Sequence, residues 1–371
     1  MNHPPFCPNL DCRNHQLTKK TNGWFQRNGF YTSRTHGKTR RFRCIHCGNQ
    51  FSEQTFRLTY RTRRKIYLPF VFNQIKSAAG IRDIARDYKV SPTTITNRIS
   101  RLARQAIAIH SNLRSRICLQ EDLVADGFES FSVSQYFPNN IHILGGKQSQ
   151  YLYTFDYAYI RRKGRMTEYQ EKRNSILKLK TQTGNTITSS FACICGTINE
   201  LLSNSILPGI RLHTDEKKEY KQITSVYPFQ KPLEHLQYSS KLYRNLNNHL
   251  FTVNYIERQI RKDCAEHVRE TVQHSRNVNN SMERLALYRM YHNYIKPYRI
   301  NRKKGIPKDA THAEMAGIDR KSIKHELRTF YTRRRFLFRL DSIVKEDLMI
   351  LLRALATPLK KHAEPVGSYA A

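Results

Sequence analysis

Leu123-Val124-Ala125-Asp126-Gly127-Phe128 is a short apolar run that ends on a carboxylate, and Leu212-His213-Thr214-Asp215 repeats the device downstream. Apolar runs of this length, bounded by turn formers, read as strands. A third carboxylate, Glu257 in Asn254-Tyr255-Ile256-Glu257, falls on a helical stretch with Ile256, Ile260, Cys264 and Val268 as its buried stripe. Three such groups at one edge of a sheet repel one another and form a pocket of hard oxygen donors suited to divalent cations. Each also has a plainer reading. Aspartate at a strand end commonly forms a turn or caps a helix, and helical glutamate is commonly solvated. Asp122, Glu129, Asp156, Glu216 and Glu283 are rivals that spacing alone does not eliminate.

Outward from Asp126, Leu123–Ala125, Ile141–Leu144 and Tyr151–Tyr157 read as three strands, with Pro138-Asn139-Asn140 and Gly145-Gly146 as turns. A helical stripe follows in Ile187, Phe191, Cys195, Ile198 and Leu202, which makes Cys193 and Cys195 small packing residues rather than ligands. Ile210–His213 is a fourth strand and Glu234–Tyr238 a fifth, before the helix from about Val253. This order predicts an α/β unit, a mixed sheet covered by helices. The basic segment Arg161 to Lys180 reads as a polar excursion or a DNA-contacting insert.

Charge names the partner class. Lys and Arg outnumber Asp and Glu 64 to 29 in 371 residues, a formal net charge of +35. Such an excess calls for a polyanion, with DNA or RNA as the default and a membrane surface as the competitor. No run of about 18 apolar residues is present to span a membrane, and no signal peptide heads the chain. Twenty-one Tyr and 18 Phe separate it from disordered basic proteins, which are aromatic-poor.

Four of the eight cysteines form two close pairs, Cys7-x4-Cys12 and Cys44-x2-Cys47. Two short loops that each deliver two sulfurs suit structural Zn²⁺; free thiols and disulfides are the weaker readings. His3, His15 and His46 are spare ligands or surface histidines. Between the pairs, alternation around Trp24-Phe25, Phe30-Tyr31 and Arg40-Arg41-Phe42-Arg43 predicts a hairpin with a basic face, a zinc ribbon. Next, Ile66, Phe70, Val71, Phe72 and Ile75 give a helix that Pro69 interrupts or restarts. Ile81, Ile84, Ala85 and Tyr88 give another. Ser91 then caps a third helix that starts at Pro92, with Ile95, Ile99 and Leu102 inward and Thr93, Thr94, Asn97, Arg98 and Arg101 outward. That is a helix-turn-helix whose second helix carries groove-reading side chains.

The order of zinc ribbon, helix-turn-helix, Asp, Asp and Glu resembles the DDE transposases of bacterial insertion sequences. The similar stretches are Cys44-x2-Cys47-Gly48-x2-Phe51-Ser52, the helix-turn-helix, Ala125-Asp126-Gly127-Phe128, His213-Thr214-Asp215, Asn254-x2-Glu257 and His292-Asn293-Tyr294-x2-Pro297-Tyr298; the last two acids are 42 positions apart. The resemblance implies a ribonuclease H-like catalytic domain, with the first acid on its first strand, the second on its fourth and the third on a late helix. It implies that Asp126, Asp215 and Glu257 hold two Mg²⁺, with Mn²⁺ as a substitute, for cleavage at the element's 3′ ends and strand transfer into target DNA. It implies as well a homo-oligomer acting in the bacterial cytoplasm, at the nucleoid. Arg258 and Arg261, with Lys217 and Lys218, lie beside the acids in sequence, as phosphate ligands or as solvated surface charges.

The chain divides as 1–60 zinc ribbon, 61–112 helix-turn-helix, 118–300 catalytic domain and 301–371 basic, partly helical tail, with residues 111–118 as a linker. In the tail, Leu340, Ile343, Leu348, Leu351 and Leu352 read as an amphipathic surface helix, Arg302-Lys303-Lys304 as a basic cluster, and the end from about Ala363 as disordered. Two other functions remain: a DNA-binding regulator without catalysis, and a metal-dependent nuclease that cuts without joining.

Overall fold

The computed structural model describes residues 3–15, 23–162, 164–178, 186–243, 245–268, 271, 273–299, 305–335 and 343–359. Leu340, the 302–304 cluster, Lys180 and the end from Ala363 lie outside them.

The first sheet is antiparallel, with β2 (Gly37–Cys44) between β1 (Phe25–Ser33) and β3 (Gln50–Ser52). Period-two alternation turns Phe42 and Cys44 inward and Arg41 and Arg43 to solvent. Phe6, Trp24, Phe51 and Phe56 close a small core around Phe42.

Three helices follow: α1 (Leu68–Ile75), α2 (Ile81–Asp87) and α3 (Pro92–Arg114). Pro69 sits in the first turn of α1, where its missing N–H costs nothing, so it starts the helix. The Ser91 hydroxyl accepts the Thr94 amide at 3.3 Å and caps α3. Instead of giving way to a linker near residue 112, α3 runs through Arg114, and Ile117 and Leu119 beyond it are buried. Its second half is core. His110 bonds the Tyr294 hydroxyl and the Tyr153 carbonyl, each at 2.9 Å.

The second sheet holds β4 (Leu123–Phe131), β5 (Pro138–Gly146) and β6 (Leu152–Tyr159) as an antiparallel meander. After α4 (Glu168–Lys178) and α5 (Ile187–Ser203), β7 (Ile210–Asp215) returns parallel to β4. Helix α6 (Lys218–Val226) then leads to β8 (Leu233–Tyr238), parallel to β7, giving the order β6-β5-β4-β7-β8. Parallel neighbours need a crossover, and α5 and α6 supply it. One face is covered by α5 and α6 through Phe191, Ile194 and Tyr220. The other is covered by α7 (Phe251–Asp263) and α8 (Val278–Tyr294), through Val253, Ile256, Ile260, Met282 and Leu285. The α/β mixed sheet agrees with the strand pattern.

Some expectations are corrected. Pro138-Asn139-Asn140 and Gly145-Gly146 belong to β5 rather than to turns. The two buried asparagines donate from their side-chain nitrogens to Ser132 Oγ at 3.1 Å and the Gly127 carbonyl at 3.2 Å, while their side-chain oxygens have no hydrogen-bond partner among the described residues. Val268 is exposed, beyond the end of α7. Residues 168–178 of the basic excursion are helical. The tail contributes α9 (His312–Met315), α10 (Arg320–Leu327) and α11 (Lys345–Leu351). Ile343, Ile350 and Leu351 join the core under α7 and α8, so this stripe packs internally instead of forming a partner surface. Asp347 and Arg289, 2.6 Å apart and almost fully buried, pin it there. Upstream, Phe330 packs on Phe72 at 5.4 Å and the Arg334 amide donates to the Phe56 carbonyl at 2.7 Å.

Candidate functional site

Two groups of ligand-bearing side chains stand out. Sγ of Cys7, Cys12, Cys44 and Cys47 lie within 4.8 Å of one another, with Cys7–Cys47 at 3.6 Å and Cys12–Cys44 at 3.7 Å. A tetrahedron with Zn–S of about 2.3 Å has S···S edges of about 3.8 Å, so the four can hold a metal such as zinc. Gly48 takes a φ of +70°, the left-handed turn that the knuckle requires, and its amide donates to the Cys44 carbonyl at 3.0 Å. The Asn14 side chain donates to Cys44 Sγ at 3.4 Å. Burial raises the Cys44 thiol, but the Cys47 and His46 amides and Asn14 outweigh it and bring it down to about 6. His15 is not part of this cluster; its Nδ1 donates to the Cys7 carbonyl at 2.7 Å.

The second group forms where β4 and β7 run side by side. Leu123 pairs with Leu212 and Val124 with His213, so Asp126 and Asp215, two residues further on each strand, share the face under α7. Asp126 lies within β4 rather than at its end, and its Oδ1 accepts the Gly127 amide at 2.6 Å. A Cβ at Gly127 would stand 2.1 Å from Asn140 Oδ1, so a larger residue there would have to displace the buried Asn140 side chain. Glu257 comes down from α7, one step round from the buried Ile256. Burial first, and then the charges of Asp126, Asp215 and Glu257, hold the Tyr220 phenol well above its ordinary value.

Lys217 stands between the aspartates, its Nζ 3.5 Å from Asp126 Oδ1 and 3.5 Å from Asp215 Oδ2. Burial and the Asp126 charge nevertheless push Asp215 up to about 6, against the pull of Lys217. Asp215 Oδ1 is buried with no hydrogen-bond partner among the described residues. The three carboxylates are not drawn together as the thiols are. Among the described residues, the cysteines are the only set of three or more metal-ligating side chains with ligand atoms within 4.8 Å.

The rival acids have other employment. Glu283, buried in α8, accepts Ser100 Oγ at 2.6 Å and pairs with Arg353 at 2.5 Å. Asp122 accepts the Arg211 amide at 3.1 Å and lies 3.5 Å from His213 Nε2. Asp156 is buried on β6, while Glu129 and Glu216 are exposed.

Of the expected DNA-contacting residues, Thr93, Asn97 and Arg258 are exposed and Thr94 half-buried. Arg98, expected to face outward, is buried at 7% exposure, its Nη2 donating to the Arg64 carbonyl at 3.3 Å. Arg101 is half-buried, with Nη1 on the Leu58 carbonyl at 2.9 Å. Arg261 spends its guanidinium on the carbonyls of Glu129 and His267, at 3.0 and 3.3 Å. Lys217 bridging the aspartates, instead of only flanking them, is the site feature absent from the sequence reading; its position two residues past Asp215 was the available signal. No helix among the described residues is long and apolar enough to cross a membrane. The chain matches no known family model and no curated protein.

Proposed function

We propose that this chain is a DDE-type DNA transposase whose ribonuclease H-like sheet cleaves element ends and joins them to target DNA. The observation that carries the reading is the convergence of Asp126 and Asp215, from the first and fourth strands of the second sheet, about one lysine ammonium. With Glu257 on the helix after the fifth strand, this is the placement that the family resemblance implies.

The donor set fits Mg²⁺ in its chemistry: all oxygen, partly buried, mutually repelling, with one orphaned oxygen on Asp215. Two bound Mg²⁺ would supply an activated water and neutralise charge at the attacking and leaving oxygens of a phosphodiester. The residues themselves do the rest. Asp126, Asp215 and Glu257 would hold the ions. Lys217 balances the aspartates in their absence and, once displaced, is a phosphate ligand. Arg258, exposed one residue past Glu257, is placed to meet the strand. Element ends would be bound by the zinc ribbon and helix-turn-helix, and pairing two ends with one target calls for a homo-oligomer.

Strand transfer tests this. Duplexes that carry the DNA flanking the gene are incubated with a plasmid target and Mg²⁺, comparing wild type with Asp215→Asn. Joined product from wild type alone is expected. Cleavage without joining would make the protein a nuclease. Tight binding with neither product from either protein would make it a DNA-binding regulator.

A further inference from the structure

The Lys217 ammonium is held from three sides, and only two of them are the aspartates. The Tyr220 hydroxyl accepts from it at 3.2 Å, against 3.5 Å to Asp126 Oδ1 and 3.5 Å to Asp215 Oδ2. Ordinary N–H···O bonds span about 2.7–3.2 Å, so the phenol is the hydrogen-bond partner and the carboxylates are ion-pair partners. The ammonium also lies 5.0 Å from the centroid of the Tyr220 ring, inside the range of a cation–π contact.

Tyr220 cannot follow a moving lysine. Its side chain is fully buried, its ring is stacked on Phe191 of α5 at 4.0 Å, and the His142 ring of β5 meets it 5.5 Å away at 65°. The root of Lys217 is fixed as well. The Gln237 side chain on β8 donates to the carbonyls of Asp215 and Lys217, at 3.2 and 3.3 Å. The Tyr220 amide, one helical turn on, donates to the Lys217 carbonyl at 3.2 Å. Between these anchors only the flexible side-chain stem can bend.

A divalent cation acts differently on the three contacts. Carboxylates are ligands that a hard cation takes, whereas a protonated phenol is a poor one. Tyr220 stays protonated, because burial and then the charges of Asp126, Asp215 and Glu257 raise its phenol well above the ordinary value. With the aspartates occupied, the hydroxyl and the ring are the contacts that Lys217 keeps.

We propose that Tyr220 is a positioning residue that keeps the Lys217 ammonium beside the carboxylate pocket once the aspartates are taken, so that its charge faces the phosphodiester instead of returning to solvent. This rests on the reading of Asp126 and Asp215 as cation ligands.

The test reads the Lys217 amine directly in the full chain. Protein with and without Mg²⁺ is acylated with limiting acetic anhydride at pH 8, and modification of Lys217 is measured by peptide mass spectrometry against its exposed neighbour Lys218. A rise of the thermal midpoint with Mg²⁺ that is absent in Asp215→Asn reports binding at the acids. With that rise present, wild-type Lys217 should stay about tenfold less reactive than Lys218, the order expected for one hydrogen bond to a charged group. Tyr220→Phe keeps the ring and removes the hydroxyl. It should protect Lys217 as wild type does without Mg²⁺, and lose that protection when Mg²⁺ is added. Lys217 as reactive as Lys218 in Mg²⁺-bound wild type overturns the proposal alone, and so does equal protection of Lys217 in both proteins with Mg²⁺. No Asp215-dependent rise overturns the metal reading and the proposal with it. If Tyr220→Phe lowers the midpoint of the metal-free protein, the wild-type comparison decides: protection with Mg²⁺ supports the proposal and its loss overturns it.

Discussion

In the ribbon, four sulfur ligands already lie within 4.8 Å of one another, whereas on the second sheet Asp126 and Asp215 are spaced about the Lys217 ammonium. Both regions bring like-charged ligands together. The thiols converge because two tight loops, each anchored by backbone amides, leave them nowhere else to point. The carboxylates arrive on adjacent strands and a helix, whose spacing is set by the packing of the whole sheet. A metal at the first site is therefore part of the fold, and its binding energy is folding energy. On the proposed reading, a metal at the second would have to exchange with an internal cation, so its occupancy would depend on conditions.

Metal removal separates the two most sharply. Trp24 is the single tryptophan, buried in the ribbon and stacked on Phe51 at 5.9 Å, so its emission reports that module alone. A strong Zn²⁺ chelator, or Cys44→Ser, is expected to shift Trp24 emission to the red as the ribbon unfolds, a loss on the order of 10 kcal/mol of metal-linked folding energy. The far-UV signal of the second sheet and its helices should stay largely intact. Unchanged Trp24 emission after complete chelation would make the cysteines a packing cluster.

The contrast also explains what the sequence revealed. Close cysteine pairs and a glycine knuckle are local, and so were readable. The strand runs around Asp126 and Asp215 were readable because buried strands are apolar for several residues on end. Pro138-Asn139-Asn140 misled because the asparagine nitrogens, buried on an interior strand, donate to partners, Ser132 and Gly127, that no local rule indicates. Arg98 misled for another reason: its charge suggested an outward position, but it lies three residues after Ile95 and four before Leu102, on the buried side of α3, where the Arg64 carbonyl accepts from it. The pairing of Glu283 with Arg353, 70 residues downstream, and the bridging position of Lys217 where two strands meet, are likewise contacts between segments remote in sequence.

A mid-sized effect should appear with pH. The Asp215 carboxyl is raised to about 6 in the fold, so its contribution to stability is full below its ordinary value near 3.8 and is lost as pH rises through 6. Asp215→Asn removes that loss, and should stabilise the protein against urea by about 1–3 kcal/mol at pH 8 but not at pH 4. Cys44→Ser should show no such pH-dependent gain. Equal effects of Asp215→Asn at both pH values would mean that Asp126 and burial do not oppose its charge.

The smallest expected effect bears most directly on whether the carboxylate site is poised for exchange. Lys217 has both aspartates at 3.5 Å and its side chain is 29% exposed, so its attraction to them is moderated by solvent but still competes with an incoming cation. Lys217→Met keeps the bulk and deletes the charge. Without the ammonium the two carboxylates repel each other unopposed, which lowers stability when no metal is present and raises the gain on binding one. Mg²⁺ titrated against the thermal midpoint at pH 8 should then show an affinity about tenfold higher than in wild type, equivalent to about 1.4 kcal/mol. The same titration at pH 5 should show a smaller difference, because Asp215 is largely protonated there. Chelated and metal-loaded ribbon should respond alike, since no thiol ligand contacts Lys217. If Lys217→Met leaves the Mg²⁺ response unchanged, the lysine is a structural counter-ion and the aspartates need no further cation.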